Sequence, residues 1–324
     1  MPLHPCFRAA PVWRLGLLTL LSTAAALGGT ASHAQPASAP IEVRNAQGTL
    51  RPEASLAWRA PAAARLQFTV QGKFKGLPYQ TRAQLDWLPQ GQRYEAAQEV
   101  QIPVLGSRRQ SSVGSIGPQG LQPEIFLDRS RKEYSTTFDA AAGQIRFSRG
   151  SDPAPWQRGT QDRMSVFFQV AGMLAAAPQR YPVGTQITVQ AASSSRVAPW
   201  TFTVRGTEEL QLPAGRMSAI KLEHSSDSGA ADGLQSALWL APGLQYLPVR
   251  IRMLEDGGRD ELDAAEIVST GIVGDREYMV VGGDGVMISW MQIIVFAIAL
   301  GVSMLAILLT RKLPQNMAGG GAAH

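Results

Sequence analysis

The sequence predicts a mainly β protein: an antiparallel barrel or half-barrel with one packed α-helix, preceded by a signal peptide and followed by a C-terminal transmembrane helix. Three observations carry this. Apolar and polar residues alternate with period two in stretch after stretch between positions 66 and 268, the pattern of strands with one buried face. One stretch, between Thr160 and Pro178, changes to helical spacing. Uncharged apolar runs stand at both ends of the chain.

The N-terminal run has the parts of a secretory signal. Arg8 and Arg14 form a basic region, 15–27 is apolar, and Ser32-His33-Ala34 offers small residues for cleavage after Ala34. Thirteen helical residues cover about 20 Å, short of a hydrocarbon core of about 30 Å. Residues 35–61 carry Pro36, Pro40, Pro52 and Pro61 among many alanines and read as a linker without regular structure.

Strands follow. Leu66, Phe68 and Val70 alternate with Gln67, Thr69 and Gln71; Ala83, Leu85 and Trp87 with Arg82, Gln84 and Asp86; and Tyr94, Ala96, Val100 and Ile102 continue the rhythm. Further strands are expected at 133–138, 144–148, 186–192, 200–210, 216–224, 234–240, 246–254 and 260–268, a spacing that favours a curled antiparallel sheet. In the helix, Thr160 is the expected cap and Asp162 belongs to the first turn, where Asp162 and Arg163 read as a cap and an ion pair. Met164, Phe167, Val170, Ala171 and Leu174 form one apolar stripe that faces the sheet.

After a second linker at 270–284, residues 285–310 contain no charge, and Arg311-Lys312 closes the run. The 20 residues 291–310 span about 30 Å as a helix, and the basic pair behind them places the tail in the cytoplasm. Six segments result: signal peptide 1–34, linker 35–61, periplasmic β domain 62–269, linker 270–284, transmembrane helix 285–310 and cytoplasmic tail 311–324.

Composition narrows the chemistry. Of 324 residues, 45% are hydrophobic and 17% charged, which suits a packed core and excludes a disordered chain. The formal charge is +5, but Arg8, Arg14, Arg311 and Lys312 lie in the end segments. Without them 26 basic residues face 25 acidic ones, so a nucleic-acid partner loses its electrostatic support. A single cysteine, Cys6, excludes a disulfide framework and a thiolate metal site.

No catalytic constellation stands out. His224, the internal histidine left after signal removal, ends an alternating strand and reads as a surface residue without a nucleophile elbow beside it. Glu208 and Glu209 are adjacent on a strand and point to opposite faces, so they do not form a glycosidase pair. The acidic cluster Glu255, Asp256, Asp260, Glu261 and Asp263 lacks calcium-loop spacing. Gly114, Gly117 and Gly120 read as turn glycines, since no G-K-[ST] follows them. The segment around Trp239, Tyr246, Arg250 and Arg252 is the candidate ligand site. Its aromatic residues suit a pocket mouth, and its two arginines, at i and i+2, suit an anionic headgroup. The alternative is that Leu247, Val249 and Ile251 fill the core while the arginines face water or pair with Glu208 or Glu223.

Four stretches together resemble the bacterial family known as domain of unknown function 3108: SSVGSIGPQGLQPEIF at 111–126, GTQDRMSVFFQVAGML at 159–174, LQLPAGRMSAIKL at 210–222 and WLAPGLQYLPVRIRMLEDG at 239–257. The resemblance covers about 62–266 and implies an exported, mostly β envelope domain with no assigned activity. The tail GGDGVMISWMQIIVFAIALGVSMLAILLT at 282–310 is similar to part of a permease subunit of branched-chain amino-acid ABC transporters. That likeness implies an anchor, because one helix does not form a translocation path.

The expectation from sequence is a non-enzymatic periplasmic domain tethered to the inner membrane, without cofactor or metal, that binds an apolar or amphipathic envelope ligand or a partner protein. The alternatives are a carboxylate-dependent envelope hydrolase and an accessory subunit of a membrane transporter.

Overall fold

A computed structural model describes residues 39–52, 56–74, 76–102, 106–225, 235–255, 260–273, 276–281 and 286–289. Eighteen strands and one α-helix are found among them. The first half of the chain contributes β1 (Ile41–Arg44), β2 (Ala64–Phe74), β3 (Leu77–Gln90), β4 (Arg93–Ile102), β5 (Gly106–Gly117), β6 (Gly120–Arg129), β7 (Glu133–Asp139), β8 (Gln144–Phe147), β9 (Ala154–Pro155) and β10 (Gln161–Asp162). Helix α1 (Ser165–Ala176) follows. The second half contributes β11 (Gln186–Ala192), β12 (Val197–Leu212), β13 (Gly215–Ser225), β14 (Gln235–Ala241), β15 (Leu247–Glu255), β16 (Asp260–Val273), β17 (Arg276–Val281) and β18 (Val286–Ser289).

One antiparallel ladder runs in chain order from β11 to β16, crosses to β2, and continues in order to β9. β2 therefore joins the early and late halves of the chain, with Val70 opposite Ala264. At the far edge of β11, β1 pairs antiparallel and β10 pairs parallel. Register shifts at Val113/Gly114, Val204/Gly206, Trp239/Leu240 and Glu266/Val268 bend the sheet, as β-bulges do. Among the described residues no backbone ladder joins β6–β9 to β1, β10 or β11, so the sheet is curled but not closed.

The concave face holds the core. Leu66, Phe68, Val70, Leu85, Trp87, Ile187, Val189, Phe202, Leu222, Leu238, Val249 and Ile251 all point inward and are buried. They pack around α1, in which every residue from Ser165 to Ala175 is buried. The expected single apolar stripe is thus one of several buried faces. Segment 56–63 crosses the helix on its far side: Trp58 Nε1 donates to Gln169 O at 3.1 Å, and Arg59 N donates to Gly172 O at 3.1 Å. Gly172 is required there, because a Cβ would lie 2.1 Å from Trp58 Nε1. Trp87 stacks on Phe168 with ring centroids 4.3 Å apart and donates through Nε1 to Pro61 O, which fixes strand, helix and crossing segment together.

Several expectations need correction. Thr160 does not cap the helix, because Gln161–Asp162 pairs as β10 and α1 begins at Ser165. Asp162 takes the capping role, its Oδ1 accepting the N–H groups of Met164 and Ser165 at 2.8 Å. Residues 41–44, inside the expected linker, form β1, since Ile41 and Val43 alternate with Glu42 and Arg44 and bury two apolar side chains. Part of the second linker is strand as well, in β16 and β17. The uncharged C-terminal run does not start as helix, because 286–289 pairs with β17. Residues 1–34 and 291–310, the expected signal peptide and the core of the expected membrane span, lie outside the described residues. No helix among the described residues is long and apolar enough to cross a membrane.

Candidate functional site

β6 pairs with β7 only from Ile125 to Arg129, so the start of β6 is an edge facing β10 and α1. Side chains replace the missing ladder there. Gln169 Oε1 accepts Leu121 N–H at 2.8 Å, and Gln161 Nε2 donates to Leu121 O at 2.8 Å. Thr136 Oγ1 donates to Ser193 O at 2.9 Å and ties β7 to the β11–β12 turn. Ser112 Oγ donates to Asp162 Oδ2 at 2.6 Å, and Tyr94 OH lies 2.9 Å from Ser112 Oγ. Buried backbone groups left without a partner cost about 1–3 kcal/mol each, so the side chains of Gln161 and Gln169 do at Leu121 what a ladder does elsewhere.

Asp162 is the most perturbed carboxyl group of the seam. Burial raises its pKa to about 6, against the lowering effect of hydrogen bonds from Ser112, Ser165 and Met164. Burial, and then the Asp162 carboxylate, also push the Tyr94 hydroxyl well above its usual value. Both groups are sealed in the core, so this arrangement locks structure and does not meet solutes.

Two hollows lie at opposite ends of the seam. One, of about 270 Å³, opens beside the β5–β6 turn. Ile41, Leu56, Pro118 and Leu121 supply its apolar surface; Gln119, Gln122 and Arg158 supply the polar one. The other is a polar cleft of about 290 Å³ where the ends of β5–β8 meet the β11–β12 turn. Arg108, Arg149, Arg163 and Arg196 line it together with Asp128, Tyr134 and the serines 130 and 193–195. Arg108 grips Asp128 with two bonds, Nε to Oδ1 at 3.0 Å and Nη2 to Oδ2 at 2.7 Å, and Gln110 Nε2 adds a third at 3.1 Å. Burial raises the Asp128 pKa, but the bonds and charge of Arg108 outweigh it and hold the group below its ordinary value. Arg149 lies over the Tyr134 ring at 4.6 Å, and Arg163 over Trp200 at 5.8 Å.

The residues singled out from sequence line neither of these two hollows. Trp239 is buried on the outer side of β14, between Lys221 at 5.5 Å and Arg250 at 4.9 Å from its ring. Its Nε1 donates to Glu208 Oε2 at 2.7 Å. Lys221 bridges Glu208 and Glu223, and Arg205 joins Glu223. Tyr246 is buried at the turn into β15, where Gln245 and Tyr246 both adopt positive φ. Arg252 is exposed two residues beyond Arg250. The neighbouring Leu247, Val249 and Ile251 fill the core, as the alternative reading expects.

His224, expected at the surface, is buried: its ring stacks on Trp200 at 5.0 Å and Nδ1 lies 3.1 Å from Thr201 O. Among the described residues no group of three metal-ligating side chains is found. Gly114, expected in a turn, lies inside β5 at the bulge, where a Cβ would approach Gln122 O to 2.2 Å. The four cleft arginines come from separate segments, so no local motif announces them.

The family of proteins of unknown function DUF3108 matches residues 67–264. The chain belongs to the DUF3108 family. Comparison with curated proteins finds no match. Among solved structures, the DUF3108 chain is similar to a β-barrel-like protein of domain of unknown function DUF1849 from Brucella abortus, at 13% identity and a TM-score of 0.45, over 67% of this chain and 100% of that one. It also matches a domain described as that of an outer membrane lipoprotein-sorting protein from Vibrio parahaemolyticus, at 10% identity and a TM-score of 0.21, over 69% of this chain and 80% of that one.

Proposed function

We propose that this DUF3108 protein is a non-enzymatic binding domain of the bacterial envelope. Residues 1–34 export it, a helix at 291–310 holds it in the inner membrane with its body in the periplasm, and it takes an apolar or amphipathic envelope ligand at the seam of its sheet. The observation that carries the reading is that α1 fills the concave face. A ligand in the manner of a barrel lumen has no seat there, whereas the hollow between Ile41, Leu56, Pro118 and Leu121 opens to solvent with Arg158 and two glutamines beside it.

Magnitudes favour an amphipathic ligand over a purely apolar one. Four buried methylenes contribute about 3 kcal/mol at roughly 0.8 kcal/mol each, which alone gives an affinity weaker than millimolar. A headgroup contact to Arg158 supplies the rest. The non-enzymatic part of the reading is supported by the engagement of Asp162, whose two oxygens accept three hydrogen bonds inside the core. A general acid has to reach its substrate.

Native mass spectrometry of the full-length chain released from nonionic micelles, after exposure to envelope lipid extract, tests the proposal. A retained amphiphile that is lost in Leu56→Asp is expected. A chain that stays ligand-free and also ignores envelope proteins contradicts it.

A further inference from the structure

We infer that the hollow beside the β5–β6 turn selects its amphiphile by negative charge, setting an acid group against Arg158 with the amides of Gln119 and Gln122 beside it. The inference rests on the reading above that the hollow holds an amphiphile, and adds which class it takes. The lining carries one charged side chain, a cation, and no carboxylate. Arg158 is exposed, and among the described residues no hydrogen bond, ion pair or ring contact engages it. Elsewhere on the sheet arginines meet carboxylates, as Arg65 does at Asp86, Arg93 at Glu124 and Arg205 at Glu223. The positive charge at the hollow is therefore left for a ligand to answer.

The walls are held in place before any ligand arrives. Gln161 is fully buried, and its Nε2 donates to Leu121 O at 2.8 Å and to Gly159 O at 3.0 Å. One amide thus ties β6 to the segment that carries Arg158. Thr160 N donates to Gln157 O at 3.1 Å and closes a turn around Arg158. Gln119 O accepts Gln169 Nε2 at 3.1 Å, which fixes the β5–β6 turn. A Cβ on Gly117 would lie 2.7 Å from Gln122 Nε2, so the bare glycine lets that amide rest on the turn. The side-chain amides of Gln119 and Gln122 enter no hydrogen bond among the described residues. A wall that is already ordered loses little entropy on binding.

Size makes the headgroup decisive. The volume of about 270 Å³ lies below the roughly 300–1,000 Å³ of pockets that bury a whole ligand. The hollow seats a headgroup and a few methylenes, and the rest of an acyl chain stays outside. A guanidinium takes two oxygens of a carboxylate or a phosphate side by side. The ammonium of a zwitterionic headgroup has no carboxylate to meet in this lining, and a neutral headgroup leaves Arg158 unanswered.

The test is native mass spectrometry of the full-length chain in nonionic micelles with an equimolar mixture of oleoyl lysophosphatidic acid, oleate, oleoyl lysophosphatidylcholine and monoolein. Variants are Arg158→Gln and, as a control for general charge, Arg149→Gln, an exposed arginine of the other cleft. Circular dichroism verifies the fold of both. Retention of either acid about tenfold above the zwitterionic and neutral probes, as a charged hydrogen bond implies, supports the inference if it is lost in Arg158→Gln and kept in Arg149→Gln. Lysophosphatidic acid held above oleate assigns a glycerophosphate headgroup; oleate held at least as tightly assigns a fatty acid. Equal retention of all probes, preference for a probe without net negative charge, or a preference that survives Arg158→Gln or is lost in Arg149→Gln overturns the inference while the hollow keeps its amphiphile. Retention of none overturns both readings.

Discussion

Ser112 Oγ donates to Asp162 Oδ2 at 2.6 Å and joins β5 to β10 across a seam that no described backbone ladder closes. A fully hydrogen-bonded barrel removes its edges by pairing. Here the same end is reached with buried side chains from β5, β7, β10 and α1. The arrangement concentrates polar groups in the core and leaves a hollow at each end of the seam.

Asp162 makes stability depend on pH in an unusual direction. Its folded pKa, about 6, lies above the ordinary 3.8, so between those values the folded state holds a proton that the unfolded state has lost. This group's contribution is therefore most favourable below about pH 4 and declines as pH rises to about 6, by roughly 3 kcal/mol in total. Asp162→Asn keeps a carbonyl acceptor and removes the ionisation. Urea denaturation of wild type and variant between about pH 4 and pH 7 is expected to give stabilities whose difference shifts in favour of the variant as pH rises. A difference that does not vary with pH contradicts the assignment.

Gly114 and Gly120 are packing requirements of the seam. A Cβ on Gly114 meets backbone at 2.2 Å, and one on Gly120, at φ +118°, meets Gln169 Oε1 at 2.1 Å. Each alanine substitution is expected to cost about 1–3 kcal/mol, read from denaturation midpoints. Gly143→Ala, in an open turn at φ +66°, is the control: only backbone strain acts there, and its loss is expected to be smaller.

What was legible in the sequence was the part governed by alternation. Strands β2–β4, β7, β8 and β11–β15 have inward residues such as Leu66, Leu85, Phe202 and Leu222, whose hydrophobicity announces the period. β5 was silent because its inward positions are Gln110, Ser112 and Gly114, polar or small residues that serve the seam. β10 was absorbed into the helix because its two residues, Gln161 and Asp162, make sense only beside β11. The arginine cleft was invisible for a related reason: Arg108, Arg149, Arg163 and Arg196 meet through topology and not through spacing. Trp239 reads in the sequence as an aromatic near two arginines; in the structure Lys221 and Arg250 lie over its buried ring.

Trp239 is expected to behave as a structural residue. Trp239→Ala removes a buried ring, two cation contacts and the bond to Glu208, and is expected to cost about 3–5 kcal/mol. Arg252→Ala, at an exposed site, is expected to change stability by less than about 0.5 kcal/mol. Thermal or chemical unfolding distinguishes the two, and a Trp239→Ala variant of unchanged stability contradicts the packing argument.

The proposed topology predicts one-sided labelling. On that topology Cys6 leaves with the signal peptide, so Ser226→Cys and Gln315→Cys each introduce a lone thiol. A membrane-impermeant thiol reagent on intact cells with a permeable outer membrane is expected to label the first and not the second. Labelling of both contradicts a membrane span at 291–310.

The central claim is that a ligand meets this domain at the hollow beside the β5–β6 turn while α1 keeps the concave face filled. Hydrogen exchange of the full-length chain in nonionic micelles, with and without oleoyl lysophosphatidic acid, addresses it most directly, because that probe carries both an acyl chain and a phosphate monoester. The account predicts slower exchange in 118–122, with 165–176 unchanged. A change across 165–176 without one in 118–122 contradicts it, since the acyl chain would then have displaced the helix and entered the sheet.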